Sequence, residues 1–225
     1  MSDFGGRHEI KLYINYADLL QLRTKLKLVT KLDANSASGN GYRVKSLYFD
    51  NYNDKALKEK LNGLSSREKF RLRLYDNNTS FIRLEKKSKK SGFCFKEGVP
   101  VSEKECHRLL AGDYSVLKEN MSNLCLELYA KMHYQQLRPQ SIVDYLREAY
   151  VYPPGNVRIT LDYDIRTSSN IGAFMKNTLI PVPLAKVFIL EVKYDHYLPE
   201  IIRGLISLAS RNSTAFSKYA SARII

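Results

Sequence analysis

Residues 67–87, REKFRLRLYDNNTSFIRLEKK, alternate charged and apolar side chains on either side of the polar turn Asp76-Asn77-Asn78-Thr79, which predicts a β-hairpin. Successive strand residues point to opposite faces. Lys69, Arg71 and Arg73 therefore share one face and Phe70, Leu72 and Leu74 the other; in the second strand Arg83, Glu85 and Lys87 oppose Ile82 and Leu84. The pattern recurs along the chain. Residues 7–14 (RHEIKLYI) put Arg7, Glu9, Lys11 and Tyr13 on one face, and residues 42–50 and 92–101 read as further strands, Pro100 marking an edge or an end. Residues 141–152 and 157–166 form a second hairpin about the turn Pro153-Pro154-Gly155-Asn156. Val143, Tyr145, Arg147 and Ala149 share a face of its first strand, and Arg158, Thr160, Asp162 and Asp164 a face of its second. Residues 184–194, where Glu191 and Lys193 share a face, bring the count to about eight strands.

Between the strands the period changes to that of helices. Leu19, Leu20, Leu22, Leu26 and Val29 recur at helical spacing after a cap at Asn15 or Asp18. A short polar helix follows over residues 54–62, and Ser102 with Glu105 makes a capping box for a helix to Leu110. Residues 113–136 supply more helix, broken near 120–123, with Leu109, Leu110, Leu117, Leu124, Leu126 and Leu128 as core positions. A closing helix spans 199–209. Residues 35–41 read as a loop, 167–177 as a flexible segment and the stretch from Ser210 as a tail. No fixed-period repeat or linker divides the chain, so a single domain over residues 1–225 is expected.

Composition sharpens this picture. Thirty-six basic residues against 23 acidic ones give a net charge of +13 and predict an anionic partner. Three cysteines without CxxC spacing suggest neither a disulfide framework nor a cysteine zinc site, and fit a reducing cytoplasm. No run approaches the roughly 20 apolar residues of a transmembrane helix, so a membrane role would need a partner protein.

The charged faces are not those of ordinary solvated strands. Arg predominates at several positions, and acids recur two residues before lysine: Glu9 before Lys11, Glu85 before Lys87, Glu191 before Lys193. Closing the sheet into a barrel would turn these faces inward. Such an interior must be wet and neutralised by carboxylates and an anion. A compact polyanion meets that need, with Arg offering forks, Lys point charges, and the carboxylates a seat for a divalent ion. Nucleic acid is not the expected partner, because it calls for exposed cations with stacking platforms.

The first-strand R-x-E-x-K, SLYFDN at 46–51, REKFRLRLYD, RLEKK, YLREAY at 145–150, VRITLDYDI, LEVKY and the late FSKYA together resemble the VTC domain, the polyphosphate polymerase branch of the triphosphate tunnel metalloenzymes. The resemblance covers nearly the whole chain in order. It implies an α+β fold, an antiparallel β-barrel forming a basic tunnel with helices packed outside, and ATP-dependent synthesis of inorganic polyphosphate with Mn2+ or Mg2+. Carried over by motif, it implies phosphate ligands at Lys11, Arg71, Arg73, Lys87, Lys96, Arg147 and Lys218, hydroxyl donors at Tyr145 and Ser217, and metal ligands at Glu191 and, more weakly, Glu9. Arg71, Arg73, Lys87, Arg147 and Glu191 would carry the reaction. Glu85 reads as a salt-bridge partner, while Lys69, Arg158 and Asp162 have no assigned role. The hydrolytic branches carry ExExK in the first strand, and Arg7 replaces the first acid here, which moves the balance from hydrolysis toward polymerisation or binding. A metal-dependent triphosphatase and a non-catalytic module for polyphosphate or inositol pyrophosphate are the alternatives.

Overall fold

The computed structural model describes residues 7–36, 41–90, 93–178, 180–184, 187–207 and 217–223. In chain order the elements begin β1 (His8–Ile14), α1 (Tyr16–Val29), β2 (Lys31–Leu32), β3 (Tyr42–Asp50), α2 (Lys55–Leu61), β4 (Arg67–Tyr75), β5 (Asn78–Lys90) and β6 (Phe93–Val101). Next come α3 (Glu103–Leu110), α4 (Val116–Glu119), α5 (Asn123–Tyr134), β7 (Arg138–Tyr152) and β8 (Val157–Ser168). β9 (Val182–Pro183), β10 (Phe188–Tyr194), α6 (Glu200–Ile206) and α7 (Lys218–Arg223) complete the chain. The fold is α+β, built on antiparallel pairing, as the alternation predicts.

Two compact units divide the chain. The first comprises Met1–Arg43, Tyr145–Ile165 and Leu184–Phe216. Its strands run in the order β1-β10-β8-β7, the last through its C-terminal half. α1 starts where Asn15 and Asp18 cap each other reciprocally, at 2.8 and 2.9 Å, so both predicted cap residues take part. Its Leu19, Leu22 and Leu26 join Ile202 and Ile206 of α6 over Leu12, Ile159, Leu161, Leu190 and Val192 of the sheet. Leu20, expected among them, is 42% exposed, because one helix face suffices to cover the strands. Gly41 has φ +72°, and a Cβ there would stand 2.5 Å from the Arg147 carbonyl oxygen, so only glycine lets this loop lie against β7.

The second unit comprises Val44–Asp144, Arg166–Pro183 and Ser217–Ile225, with strand order β7-β3-β4-β5-β6. β6 lies at a sheet edge, as Pro100 suggests. The central hairpin turns on Asp76 and Asn77 alone, at φ 48° and 55°, while Asn78 and Thr79 already belong to β5. This is the two-residue turn with both φ positive that matches strand twist, and Asp and Asn tolerate it. Phe70, Leu72, Leu74, Ile82 and Leu84 pack beneath Leu109, Leu117, Leu124 and Leu128 of the helices. Ser102 and Glu105 form the predicted capping box, whereas Leu126 is 42% exposed and Leu110 only borders the core.

Three expectations change. The segment 167–177 is built into the second unit: β8 continues to Ser168, Thr167 Oγ1 donates to the Ile142 carbonyl at 3.0 Å, and Phe174 is fully buried. Its apolar residues follow neither helical nor strand period, so the pattern hides them. The last long strand begins at Phe188 rather than residue 184, although Leu184 N–H still bonds the Ile165 carbonyl at 2.8 Å. The tail contains α7, with Tyr219 and Ala220 buried. Portions of the expected loop at 37–40, strand residues 92 and 185–186, the end of the closing helix at 208–209 and residues 210–216 lie outside the described residues.

Candidate phosphate-binding faces

The implied site residues fall into two groups, one in each unit. In the second unit β3, β4 and β5 pair so that Tyr48 faces Arg71, which faces Glu85, and Ser46 faces Arg73. Strand alternation puts these side chains opposite the apolar face that packs under the helices. Glu85 is the centre of the group: its carboxylate accepts from Arg71 Nε at 2.8 Å and Nη2 at 2.7 Å, lies 3.5 Å from Arg73 Nη1 and meets Lys96 Nζ at 2.8 Å. Burial alone would favour the neutral acid. Arg73 and Arg71, then Lys96, outweigh that and pull the Glu85 carboxyl down to about 2. Arg73 also donates from Nε to Ser46 Oγ at 3.2 Å, and Arg71 from Nη1 to the Tyr48 hydroxyl at 3.1 Å. Tyr48 is buried, which works against its ionisation, yet Arg71, Lys69 and Arg73 lower its phenol to about 7.

Lys87 sits in register between Lys69 and Lys96. Ser217 precedes α7, whose first residue is Lys218; the Tyr219 ring packs on Tyr48 at 5.0 Å, and its hydroxyl donates to Asp50. Arg223 pairs with Asp54, so α7 is fastened at both ends. Ser217 and Lys218 thereby sit on a docked helix rather than a solvated tail.

The first unit arranges its cations differently. Lys11 lies 2.5 Å from Glu9 and 3.6 Å from Glu191, and Glu191 also holds Lys193 at 2.7 Å. Burial opposes the Lys11 charge, but Glu191 and Glu9 overcome it and raise its pKa. Arg147 makes a two-point fork on Asp162, Nε to Oδ1 at 2.7 Å and Nη2 to Oδ2 at 2.8 Å, with its guanidinium 5.2 Å from the Tyr145 ring. Asp162 is fully buried and holds the Arg147 pKa well above its ordinary value against the cost of burial. Arg158 pairs with Asp33. Among the described residues no three His, Cys, Asp or Glu side chains gather as a ready metal site.

Glu85 is a salt-bridge partner, as read from the sequence, but of three cations at once, which was not foreseen; the pairings of Arg147 with Asp162 and of Arg71 with Tyr48 were not foreseen either. The Arg147 pairing was within reach, because a hairpin symmetric about Pro153–Asn156 puts Arg147 opposite Asp162. The Arg71–Glu85 pairing was not: a turn at 76–79 would put Arg71 opposite Leu84, and a register shift between Arg73 and Tyr75 brings Glu85 there instead.

Antiparallel strands with helices on one face and dense cation–carboxylate clusters on the other define the class of fold. The family model for the VTC domain matches residues 6–224, and the chain belongs to that family. Among solved structures it is similar to a putative adenylyl cyclase from Hippeastrum, HpAC1, described as having a dominant triphosphatase activity. The identity is 16% and the TM-score 0.59, with 97% of this chain and 95% of that one covered. A conserved hypothetical protein from Pyrococcus furiosus is similar at 12% identity and TM-score 0.50, covering 96% of this chain and 99% of that one. At these identities the likeness concerns the fold alone. No curated protein matches the chain.

Proposed function

We propose that the chain is an ATP-dependent polyphosphate polymerase that transfers the γ-phosphate of ATP to a growing inorganic polyphosphate. The observation that carries this reading is the convergence of Arg71, Arg73 and Lys96 on the single carboxylate of Glu85, in a chain of the VTC family. A face on which three cations converge on one carboxylate is suited to a multiply charged phosphate chain, which brings several negative charges at once. In the reaction a terminal phosphate oxygen of the polymer attacks the γ-phosphorus, the bond to the β–γ bridging oxygen breaks, and ADP leaves with the bonding pair. The attacking oxygen is already anionic, so no general base is needed. In the second unit Arg71, Arg73, Lys87, Lys96 and Lys218, with the Ser217 hydroxyl, are the phosphate ligands that align the reacting groups and offset their charge; in the first unit Lys11 and Arg147, with the Tyr145 hydroxyl, have the same role toward phosphate.

A divalent ion, Mn2+ or Mg2+, fits the acids of the first unit. Such ions often take only one or two carboxylates and complete their shell with phosphate and water oxygens. Glu191 and Glu9 flank Lys11, and the buried Thr160 hydroxyl, which has no hydrogen-bond partner among the described residues, faces Glu191 from β8. These residues would hold the ion, which supplies charge neutralisation to the phosphates. Arg7 favours polymerisation over hydrolysis because, where hydrolytic relatives carry an acid, its guanidinium pairs with Asp195 at 2.8 Å.

Incubation of the purified chain with ATP and either metal, followed by gel detection of polymer, tests the reading. Polymer with matching ADP is expected. Free phosphate without polymer would replace it with a triphosphatase, the activity described for the Hippeastrum protein; tight binding with no turnover would replace it with a polyphosphate-binding module.

A further inference from the structure

Across β4, β5 and β6, Lys69 directly faces Lys87, and Lys87 directly faces Lys96; in the next row toward the strand ends Arg67 faces Lys89. Like charges directly opposite one another destabilise a sheet. Five cations thus occupy two consecutive rows, and no acid stands at those register positions. The acid on this face of the three strands is Glu85, one row further in, where Arg71, Arg73 and Lys96 share it. Asp50 of the neighbouring β3 turns to the α2 amides of Ala56 and Leu57, at 2.9 and 3.1 Å, and to Tyr219. Side-chain exposure rises outward, from 8% at Arg73 and 15% at Arg71 to 59% at Lys96. The charge therefore continues toward solvent past the cluster around Glu85, by about 7 Å per row.

We infer that Lys69, Lys89 and Arg67 form an outer subsite for the phosphates of a linear polyphosphate that extend beyond those held by Arg71 and Arg73. The inference rests on the proposed function and adds a binding preference for chain length. A row of point charges at regular spacing suits a flexible chain with one charge per unit. It does not suit a nucleic acid strand, which calls for stacking surfaces on the same face. The exposed rings of β6, Phe93 and Phe95, alternate to the opposite face, the Tyr48 ring is covered by Tyr219, and the exposed Phe81 ring, on the cation face, packs on Tyr75 at the hairpin end, away from the outer rows.

Calorimetric titration of the full chain with tripolyphosphate, a long linear polyphosphate and single-stranded DNA tests this. In the double variant Lys69→Gln/Lys89→Gln, tripolyphosphate affinity is expected to stay within about twofold, while affinity for the long chain falls at least roughly tenfold, with a shallower salt dependence. Unchanged long-chain affinity, or an equal loss for tripolyphosphate, overturns the subsite. Single-stranded DNA binding as tightly as long polyphosphate, and losing as much in the variant, also overturns it by making the face a general polyanion track. If the unmodified chain binds no tripolyphosphate, or if Arg71→Ala leaves that binding intact, the parent reading falls instead.

Discussion

The candidate faces of the two units settle their positive charge in opposite ways. In the first, Arg147 forks onto Asp162, Arg158 pairs with Asp33, and Lys11 stands between two carboxylates. In the second, Arg71, Arg73 and Lys96 share Glu85, and the next two rows of β4, β5 and β6 hold five cations and no acid. The first arrangement fixes side chains in place before any ligand arrives. The second leaves positive charge that an incoming anion can neutralise. Cations fixed by their own acids serve geometry, and cations gathered on one shared acid serve affinity for a polyanion.

The largest effect expected from this contrast lies in the first unit. Asp162→Asn removes the only negative charge in the fork and leaves the mostly buried Arg147 guanidinium facing an amide. Breaking one partner of a buried pair costs about 3–5 kcal/mol. Thermal or denaturant unfolding should register that loss. A change below about 1 kcal/mol would mean that Arg147 relaxes to another acceptor, and that the two units differ less than their contacts indicate.

Glu85→Gln in the second unit should cost less and depend on acid pH. The folded Glu85 carboxyl sits at about 2 against an ordinary 4.5, so its contribution is fully present above about pH 4.5 and is lost as pH falls toward 2. The shift corresponds to at most about 3 kcal/mol. Stability curves of the two proteins should therefore separate above pH 4.5 and converge near pH 2. Parallel curves would show that Glu85 is not held ionised by Arg73 and Arg71. The same substitution removes the internal anion, so a phosphate chain would meet Arg71, Arg73 and Lys96 without a competitor.

Much of this contrast was legible before the structure. Alternation at 67–87 and 141–166 gave the charged faces, and hairpin geometry contained the partner of Arg147, since sequence-local pairing fixes register. The partner of Arg71 was hidden by the register shift between Arg73 and Tyr75, which a symmetric hairpin does not foresee. What stayed hidden depends on contacts between distant segments. Tyr48 meets Arg71 through β3–β4 pairing and Tyr219 through docking of α7, and neither follows from a local period. α7 is only six residues long and rich in Ser and Ala, too short to announce an amphipathic face. Family resemblance singled out Ser217 and Lys218, but the reason they are ordered, Tyr219 on Asp50 and Arg223 on Asp54, is tertiary.

The smallest expected effect concerns Tyr48, where the two modes of pairing meet. Its hydroxyl accepts from Arg71, with Lys69 and Arg73 of β4 and Tyr219 of α7 also facing it. Those cations bring the phenol to about 7, so raising pH through that value adds a negative charge beside Arg71. The phenolate then competes with phosphate for the same guanidinium, as Glu85 does. Relative to Tyr48→Phe, which keeps the ring against Tyr219 and cannot ionise, the unmodified chain should lose about threefold in tripolyphosphate affinity between pH 6 and 8.5, the scale of a partly screened charge contact. Comparing the two proteins at each pH cancels the titration of the ligand itself. If their ratio is flat, Tyr48 only packs; if it changes, the second unit carries a second, pH-gated anion of its own.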